Sequence, residues 1–221
     1  MPKTLAMIHT VAGLVPMFQA LSDELMPEVK KFHIADEGLL RLVLSAGGLT
    51  PAIHLRVCEN VRCAAEAGAD AVLITCSSIS PCVDVAQKIV TIPVFKIDEP
   101  MADKAVSMGK RIGVLATAPT TLKPTAELIL ARAAQAGKAI NVESVLCEGA
   151  YDALMSGDLQ RHDRIVTEYL RRLMQTSDVI VLAQASMARV ADALPESEKR
   201  VPILSSPRLG MEKVRDVITR L

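Results

Sequence analysis

Short, wholly apolar runs alternate along this chain with longer stretches whose apolar positions recur every three or four residues. The runs Thr4 to Ile8, Val29 to Ile34, Ala71 to Ile74 and Val94 to Ile97 are predicted strands of the first half. Arg111 to Ala116, Asn141 to Leu146, Val179 to Leu182 and Pro202 to Leu204 are those of the second. Helical spacing is predicted over Val15 to Leu25, briefly over Leu39 to Leu44, then over Pro51 to Ala67 and about Val83 to Ile89. It resumes over Met101 to Met108, Ala126 to Ala136, about His162 to Thr176 and Met187 to Leu194, with a last helix from near Gly210. Polar turns join them: His9-Thr10, Ala46-Gly47-Gly48, Asp98-Glu99-Pro100, Thr117 to Thr121, Cys147-Glu148-Gly149 and Ala183 to Ser186. Strands alternating with helices predict an α/β protein whose parallel sheet is covered on both faces.

The halves repeat each other in order. Leu5-Ala-Met-Ile-His-Thr10 aligns with Ile112-Gly-Val-Leu-Ala-Thr117, and Glu37-Gly38 with Glu148-Gly149. Asp70-Ala-Val-Leu-Ile-Thr-Cys-Ser-Ser78 aligns with Asp178-Val-Ile-Val-Leu-Ala-Gln-Ala-Ser186, and Ile92-Pro-Val-Phe95 with Val201-Pro-Ile-Leu204. An internal duplication of this kind predicts two pseudo-symmetric, Rossmann-like lobes, residues 1–100 plus 208–221 and residues 101–207. Ligands of open parallel sheets bind beyond the carboxyl ends of the strands. The expected active site is therefore an interlobe cleft reached by the loops at Thr10, Cys76, Thr117 and Gln184, with Cys76 and Gln184 as counterparts.

Composition narrows the function. The 221 residues carry 25 Lys plus Arg and 25 Asp plus Glu, a net charge of zero. No basic surface for phosphates is indicated, so no nucleic-acid partner is expected. The first residues lack the layout of a cleavable signal, and no apolar run approaches a membrane span, so a cytoplasmic protein with no membrane partner is expected. Five cysteines do not suggest a disulfide framework, and their spacings resemble no structural zinc site, so no metal is expected. Homo-oligomers are common among such proteins and one is expected here.

The turn after the third strand sets Cys76 beside Ser77 and Ser78. A thiol at a strand end, flanked by hydroxyls and turn N–H groups, is placed to become a thiolate, and Cys76 is read as reactive rather than as core packing. Such a group can take a proton from an activated α-carbon, return one to an enediolate, or add to an activated double bond. Ser77, Ser78, Ser186 and Thr117 are candidate oxyanion donors, or plain caps of turns and helices. Gln184 is no acid or base at neutral pH and is read either as a lining residue or as a ligand of substrate. His9 is read as a turn histidine bonded to backbone, or as a contact to Cys76 or substrate. His33, His54 and His162 have no partner at an informative spacing. Asp98 and Glu99 are read as a solvated turn. Cys58 and Cys63 are assigned to a helix face and Cys82 to the core, while Cys147 is the only other thiol worth testing.

A duplicated α/β chain carrying Ala71-Val-Leu-Ile-Thr-Cys-Ser-Ser78, Arg111-Ile-Gly-Val-Leu-Ala-Thr117 and Val181-Leu-Ala-Gln-Ala-Ser-Met187 resembles the aspartate/glutamate/hydantoin racemase superfamily. That group includes amino-acid and hydantoin racemases, maleate isomerase and arylmalonate decarboxylase. The resemblance covers nearly the whole chain. It implies a cofactor-independent isomerase in which two cysteines work on opposite faces of the α-carbon of a small carboxylate. It implies Cys76 as the first of these. It implies substrate contacts at Ser77 and Ser78 and in the matching loop at Thr117, Thr120 and Thr121; by their place at the strand ends His9, Thr10, Ala185 and Ser186 are further candidates. The sequence departs from the pattern where the second cysteine stands: Gln184 occupies that place. The expectation is therefore a one-thiol isomerase, with Cys76 as acid and base and Gln184 holding substrate. The alternatives are a decarboxylase of a malonate-type substrate or a cis–trans isomerase of an unsaturated diacid, and, in a different class, a non-catalytic ligand-binding protein.

Overall fold

In the computed structural model, which describes residues 2–221, the chain forms two compact α/β units. One runs to Asp98 and takes back Pro207–Leu221; the other is Glu99–Ser206. The first contains β1 (Thr4–His9), α1 (Val15–Leu25), β2 (Lys30–Ala35), α2 (Glu37–Ala46), α3 (Pro51–Glu66), β3 (Ala71–Ile74), α4 (Val83–Ala86) and β4 (Val94–Lys96). The second contains α5 (Glu99–Met108), β5 (Arg111–Ala116), α6 (Pro119–Gln135), β6 (Asn141–Leu146), α7 (Ala150–Met155), α8 (Leu159–Leu173), β7 (Val179–Leu182), α9 (Ala188–Ala193) and β8 (Ile203–Ser205). The last helix, α10 (Ser206–Ile218), packs Met211, Val214 and Ile218 against Leu5, Met7, Leu73 and Ile97 of the first unit.

Each unit holds a four-stranded parallel sheet, ordered β2-β1-β3-β4 in the first and β6-β5-β7-β8 in the second. β3 and β7 are buried along their whole length, which is why both read as unbroken apolar runs: helices cover both faces of the sheet. In the first unit α2, α3 and α4 cover one face through Leu39, Val43, Val57, Val61 and Ala86. α1 and α10 cover the other through Phe18, Met211 and Val214.

The duplication extends to side-chain detail. The Asp70 carboxylate, just before β3, accepts from the Thr4 N–H at 2.8 Å and pins the start of β1. Asp178, just before β7, accepts from the Lys110 and Arg111 N–H groups at 3.0 and 2.9 Å and pins the start of β5. The Arg111 guanidinium and these two N–H groups hold the Asp178 pKa down to about 2.

Several predicted boundaries move. α6 begins at Pro119, so Thr120 and Thr121 lie in its first turn rather than in a loop; Pro119 at the first helical position gives up no hydrogen bond. The helix continues through Pro124. α4 is shorter than expected because the Gln87 side chain takes over the turn, donating to Ile92 O at 3.1 Å and accepting from Val94 N at 2.8 Å. α8 starts at Leu159, where Asp158 caps it by accepting from Arg161 N at 3.0 Å. The short α7 follows Gly149, whose φ of +77° turns the chain out of β6; no sequence expectation covered it. Among the described residues no helix is long and apolar enough to cross a membrane.

Candidate functional site

The last paired residues of β1 and β3 are Ile8 and Ile74. One residue on, His9 and Thr75 meet side chain to side chain, with Thr75 Oγ1 2.9 Å from His9 Nδ1. One further on stand Thr10 and Cys76. The parallel register therefore delivers the thiol and a threonine hydroxyl to adjacent strand ends. Cys76 keeps some accessible surface, while Thr10, Thr75, Ser77 and Ser78 are buried. Beyond the thiol the chain tightens, with Ile79 N donating to Cys76 O at 3.2 Å.

Burial pushes the Cys76 thiol pKa up. The Thr10 hydroxyl, the Ser78 and Ile79 N–H groups and the Ser78 hydroxyl act in the opposite direction, as donors to a thiolate. Burial is the larger influence, so Cys76 rests as a thiol at neutral pH. The buried Ser78 Oγ has no hydrogen-bond partner at rest, which leaves it free for a substrate oxygen.

Two sequence expectations fail here. Asp98 is not in a solvated turn: it is buried and accepts from Ser80 Oγ at 2.6 Å, with its pKa raised by burial. His9 is not bonded to backbone; besides Thr75 it meets His33, with His9 Nε2 2.9 Å from His33 Nδ1. His33 in turn places Nε2 2.8 Å from Gln19 Oε1. His33 and Gln19 were missed because their spacing from His9 carries no signal until the pairing Met7↔His33 is known.

The second unit repeats the geometry with different chemistry. Leu115 and Leu182 are the last paired residues, followed by Ala116 and Ala183, then by Thr117 and Gln184. Gln184 Oε1 accepts from Thr117 N at 2.6 Å and from Thr117 Oγ1 at 2.9 Å. Its amide oxygen is therefore occupied within the unit, and among the described residues Nε2 makes no hydrogen bond. Ala185 and Ser186 are half-buried in the short turn that follows. Thr121 Oγ1 donates to Ala118 O at 2.8 Å as a local cap, whereas Thr120 Oγ1 is buried and unpartnered.

Cys147 is fully buried and its pKa is pushed up to about 12, so it is no candidate nucleophile. Among the described residues no three His, Cys, Asp or Glu side chains form a metal-binding group. A surface crease of about 510 Å³ in the second unit is lined by Met108 and Val201 with Lys104, Asp192, Lys199 and Arg200. Met108 precedes β5 and Val201 precedes β8, which puts the crease at the opposite end of the strands from Thr117 and Gln184.

Comparison with known proteins agrees with this picture. The model of the Asp/Glu/Hydantoin racemase family matches residues 15–214. A comparison with curated proteins found no match. Among solved structures, a glutamate racemase from Bacillus anthracis shares the fold with a TM-score of 0.76 at 16% identity, covering 99% of this chain and 82% of that one. The allantoin racemase from Klebsiella pneumoniae gives a TM-score of 0.68 at 20% identity, covering 99% and 88%. The aspartate racemase of Picrophilus torridus gives 0.69 at 11%, covering 97% and 94%. With the family model spanning most of both α/β units, this chain belongs to the Asp/Glu/Hydantoin racemase family.

Proposed function

We propose that the protein is a cofactor-independent isomerase acting at the α-carbon of a small carboxylate, with Cys76 as its single acid–base thiol. The observation that carries this reading is the place of Cys76, just beyond the end of β3 and flanked by the buried hydroxyls of Thr75, Ser77 and Ser78, with Ser78 Oγ unpartnered. The thiol first loses its proton to solvent. The thiolate then takes the α-hydrogen: the C–H bond breaks, an S–H bond forms, and the electron pair passes into the carboxylate as an enediolate. Ser78 Oγ, buried and unpartnered, supplies a donor to that oxyanion. The remaining contacts, Thr10, Ser77, Thr117, Thr120, Gln184, Ala185 and Ser186, are carried into this proposal from the family resemblance and from their place at the strand ends. Reprotonation by Cys76 restores the starting isomer; reprotonation from solvent on the other face inverts it. The substrate class follows the related structures, which are glutamate, aspartate and allantoin racemases.

The raised Cys76 pKa favours a second reading. A resting thiol is already a proton donor, and a malonate-type substrate that loses CO2 needs one proton on one face, with no second base. Cytoplasmic residence and a homo-oligomeric state belong to the same proposal.

The test is solvent-deuterium exchange at the α-carbon of glutamate, aspartate, allantoin, hydantoins and 2-substituted malonates, with wild type and Cys76→Ala. Exchange with loss of optical purity in wild type alone supports the isomerase. Release of CO2 without exchange of a resident α-hydrogen supports the decarboxylase. Turnover that survives in Cys76→Ala overturns both, and ligand binding without turnover in either protein makes the chain a binding protein.

A further inference from the structure

A run of side-chain hydrogen bonds leads from the surface to the strand ends that carry the thiol. Lys31 Nζ donates to Asp23 Oδ1 at 2.8 Å, and Gln19 Nε2 donates to Asp23 Oδ2 at 2.8 Å. Gln19 Oε1 then meets His33 Nε2 at 2.8 Å, His33 Nδ1 meets His9 Nε2 at 2.9 Å, and His9 Nδ1 meets Thr75 Oγ1 at 2.9 Å. One end of this run fixes every proton in it. A carboxylate only accepts, so the Gln19 amide must turn its NH2 to Asp23 and its oxygen to His33. His33 must then carry its proton on Nε2. With the ring neutral, His33 Nδ1 accepts, so His9 carries its proton on Nε2 and accepts at Nδ1, and the Thr75 hydroxyl donates to it.

A second arrangement is available without moving a heavy atom. Thr75 Oγ1 is also 3.0 Å from Ile8 O. One added proton makes His33 a donor at both nitrogens. His9 must then accept at Nε2 and donate from Nδ1, and the Thr75 hydroxyl must swing to Ile8 O. The groups around the two rings are Phe18 and Gln19 from α1, Asp23 with Lys31 beyond it, and Thr75 from β3; the His9 and Phe18 ring centres are 5.4 Å apart.

The duplication supplies the control. In the second unit the positions equivalent to His9 and Thr75 are Ala116 and Ala183, and the residue paired like His33 is Ser144, opposite Val114. The same strand ends therefore form without any such network, which is present only behind the thiol.

We propose that Gln19, His33 and His9 are positioning residues for Cys76: a one-directional relay that fixes the Thr75 hydroxyl and so locks together the strand ends bearing Thr10 and Cys76, and that reverses when a single proton enters the imidazole pair. This rests on Cys76 being the working thiol, yet its tests need no turnover. In the full-length protein, nitrogen-15 NMR of the histidine rings reports the tautomers, and peptide mass spectrometry reports the iodoacetamide alkylation rate of Cys76 as a function of pH. At neutral pH both His9 and His33 are expected with the proton on Nε2, and acidification should convert both rings in one step. His33→Leu should change the Cys76 alkylation rate about fivefold, the kinetic equivalent of one neutral hydrogen bond, and remove its acid inflection. His33→Asn, which keeps an acceptor for His9 but cannot take the proton, should restore the neutral-pH rate and still lack the inflection. Gln19→Leu, on the helix surface, should randomise the tautomers if the His33 variants do not fold. A neutral-pH His9 protonated on Nδ1, or an alkylation profile unchanged in His33→Leu or Gln19→Leu, overturns the relay. A Cys76→Ala protein that still turns over overturns the proposed function and leaves the tautomer result standing.

Discussion

Acidification should weaken the first unit through His9. The ring is 1% exposed, and its pKa is pushed down from 6.5 to about 4, first by burial and then by the charge of His33. Since the folded value lies below the unfolded one, the neutral ring's contribution is complete above pH 6.5 and is lost as pH falls towards 4. At 1.36 kcal/mol per pH unit, the interval from 6.5 to about 4 corresponds to about 3 kcal/mol, with about 2 kcal/mol already gone at pH 5. That is a large fraction of the roughly 5–15 kcal/mol that holds a domain together. Carboxylates with depressed pKa values leave this window clear. Asp36, Asp70 and Asp178 have depressed pKa values, so their contributions persist until pH falls below the ordinary carboxyl range. Asp98 has the opposite sign: burial raises its pKa, so its contribution is complete at low pH and declines as pH rises. Urea unfolding followed by far-UV circular dichroism at pH 7, 6 and 5 measures the effect, with the slope on urea checked for constancy. His33, whose pKa burial also lowers, adds a loss of the same sign, and both it and Asp98 remain in His9→Gln; wild type should therefore lose about 2 kcal/mol more than His9→Gln between pH 7 and 5. Equal losses in the two proteins would refute the reasoning.

The cysteines should separate by reactivity: iodoacetamide at pH 8 should label exposed Cys63 first. Cys82 and Cys147, each pushed up to about 12 by burial, should stay unlabelled until urea unfolds the chain. Gly210→Ala should destabilise by about 1–3 kcal/mol, because its Cβ would sit 2.6 Å from Ile97 O and 2.4 Å from Ile97 Cδ1. Gly48→Ala, with nothing within 4 Å, should stay within about 0.5 kcal/mol of wild type, both variants being followed by thermal melts. Gln184→Leu leaves the N–H and hydroxyl of buried Thr117 without their acceptor and should lower stability by about 1–3 kcal/mol. Gln184→Glu keeps an acceptor there and should lose less in the same melts.

The sheet was legible because its strands are buried on both faces: Ala71–Ile74 and Val179–Leu182 have no polar position to disguise them. The turn that ends β3 was legible for a related reason. A Thr-Cys-Ser-Ser run at the carboxyl end of such a strand interrupts the apolar pattern where ligands bind. What failed was anything that depends on register or on the inside of a turn. His9 and His33 meet only because β1 and β2 pair with Met7 opposite His33, and the hydrogen bond that holds buried Asp98 comes from Ser80, inside the turn after Cys76. Thr120 and Thr121 were placed in a loop because two prolines, Pro119 and Pro124, flank them. Pro119 instead starts the helix and Pro124 is accommodated inside it.

The comparison of the two strand ends separates what the fold requires from what it tolerates. Both units carry a threonine just past β1 and β5, Thr10 or Thr117, beside the residue that follows β3 or β7, and in the second unit its hydroxyl donates to Gln184 Oε1. That placement is common to both halves, so it belongs to the scaffold. Behind it the halves part. The second unit fills the next layer with Ala116 and Ala183, both buried, which need no partners and titrate nowhere. The first unit buries an imidazole and a hydroxyl there, and with them a loss of stability on acidification that the alanines avoid. Two alanines show that the strand ends assemble without it, so packing alone does not account for the polar layer. A departure from the simplest core beside the side chain proposed to react marks a functional constraint more often than a structural one. The rings of His9 and His33 are therefore better understood with the chemistry of Cys76 than with the folding of β1 and β3.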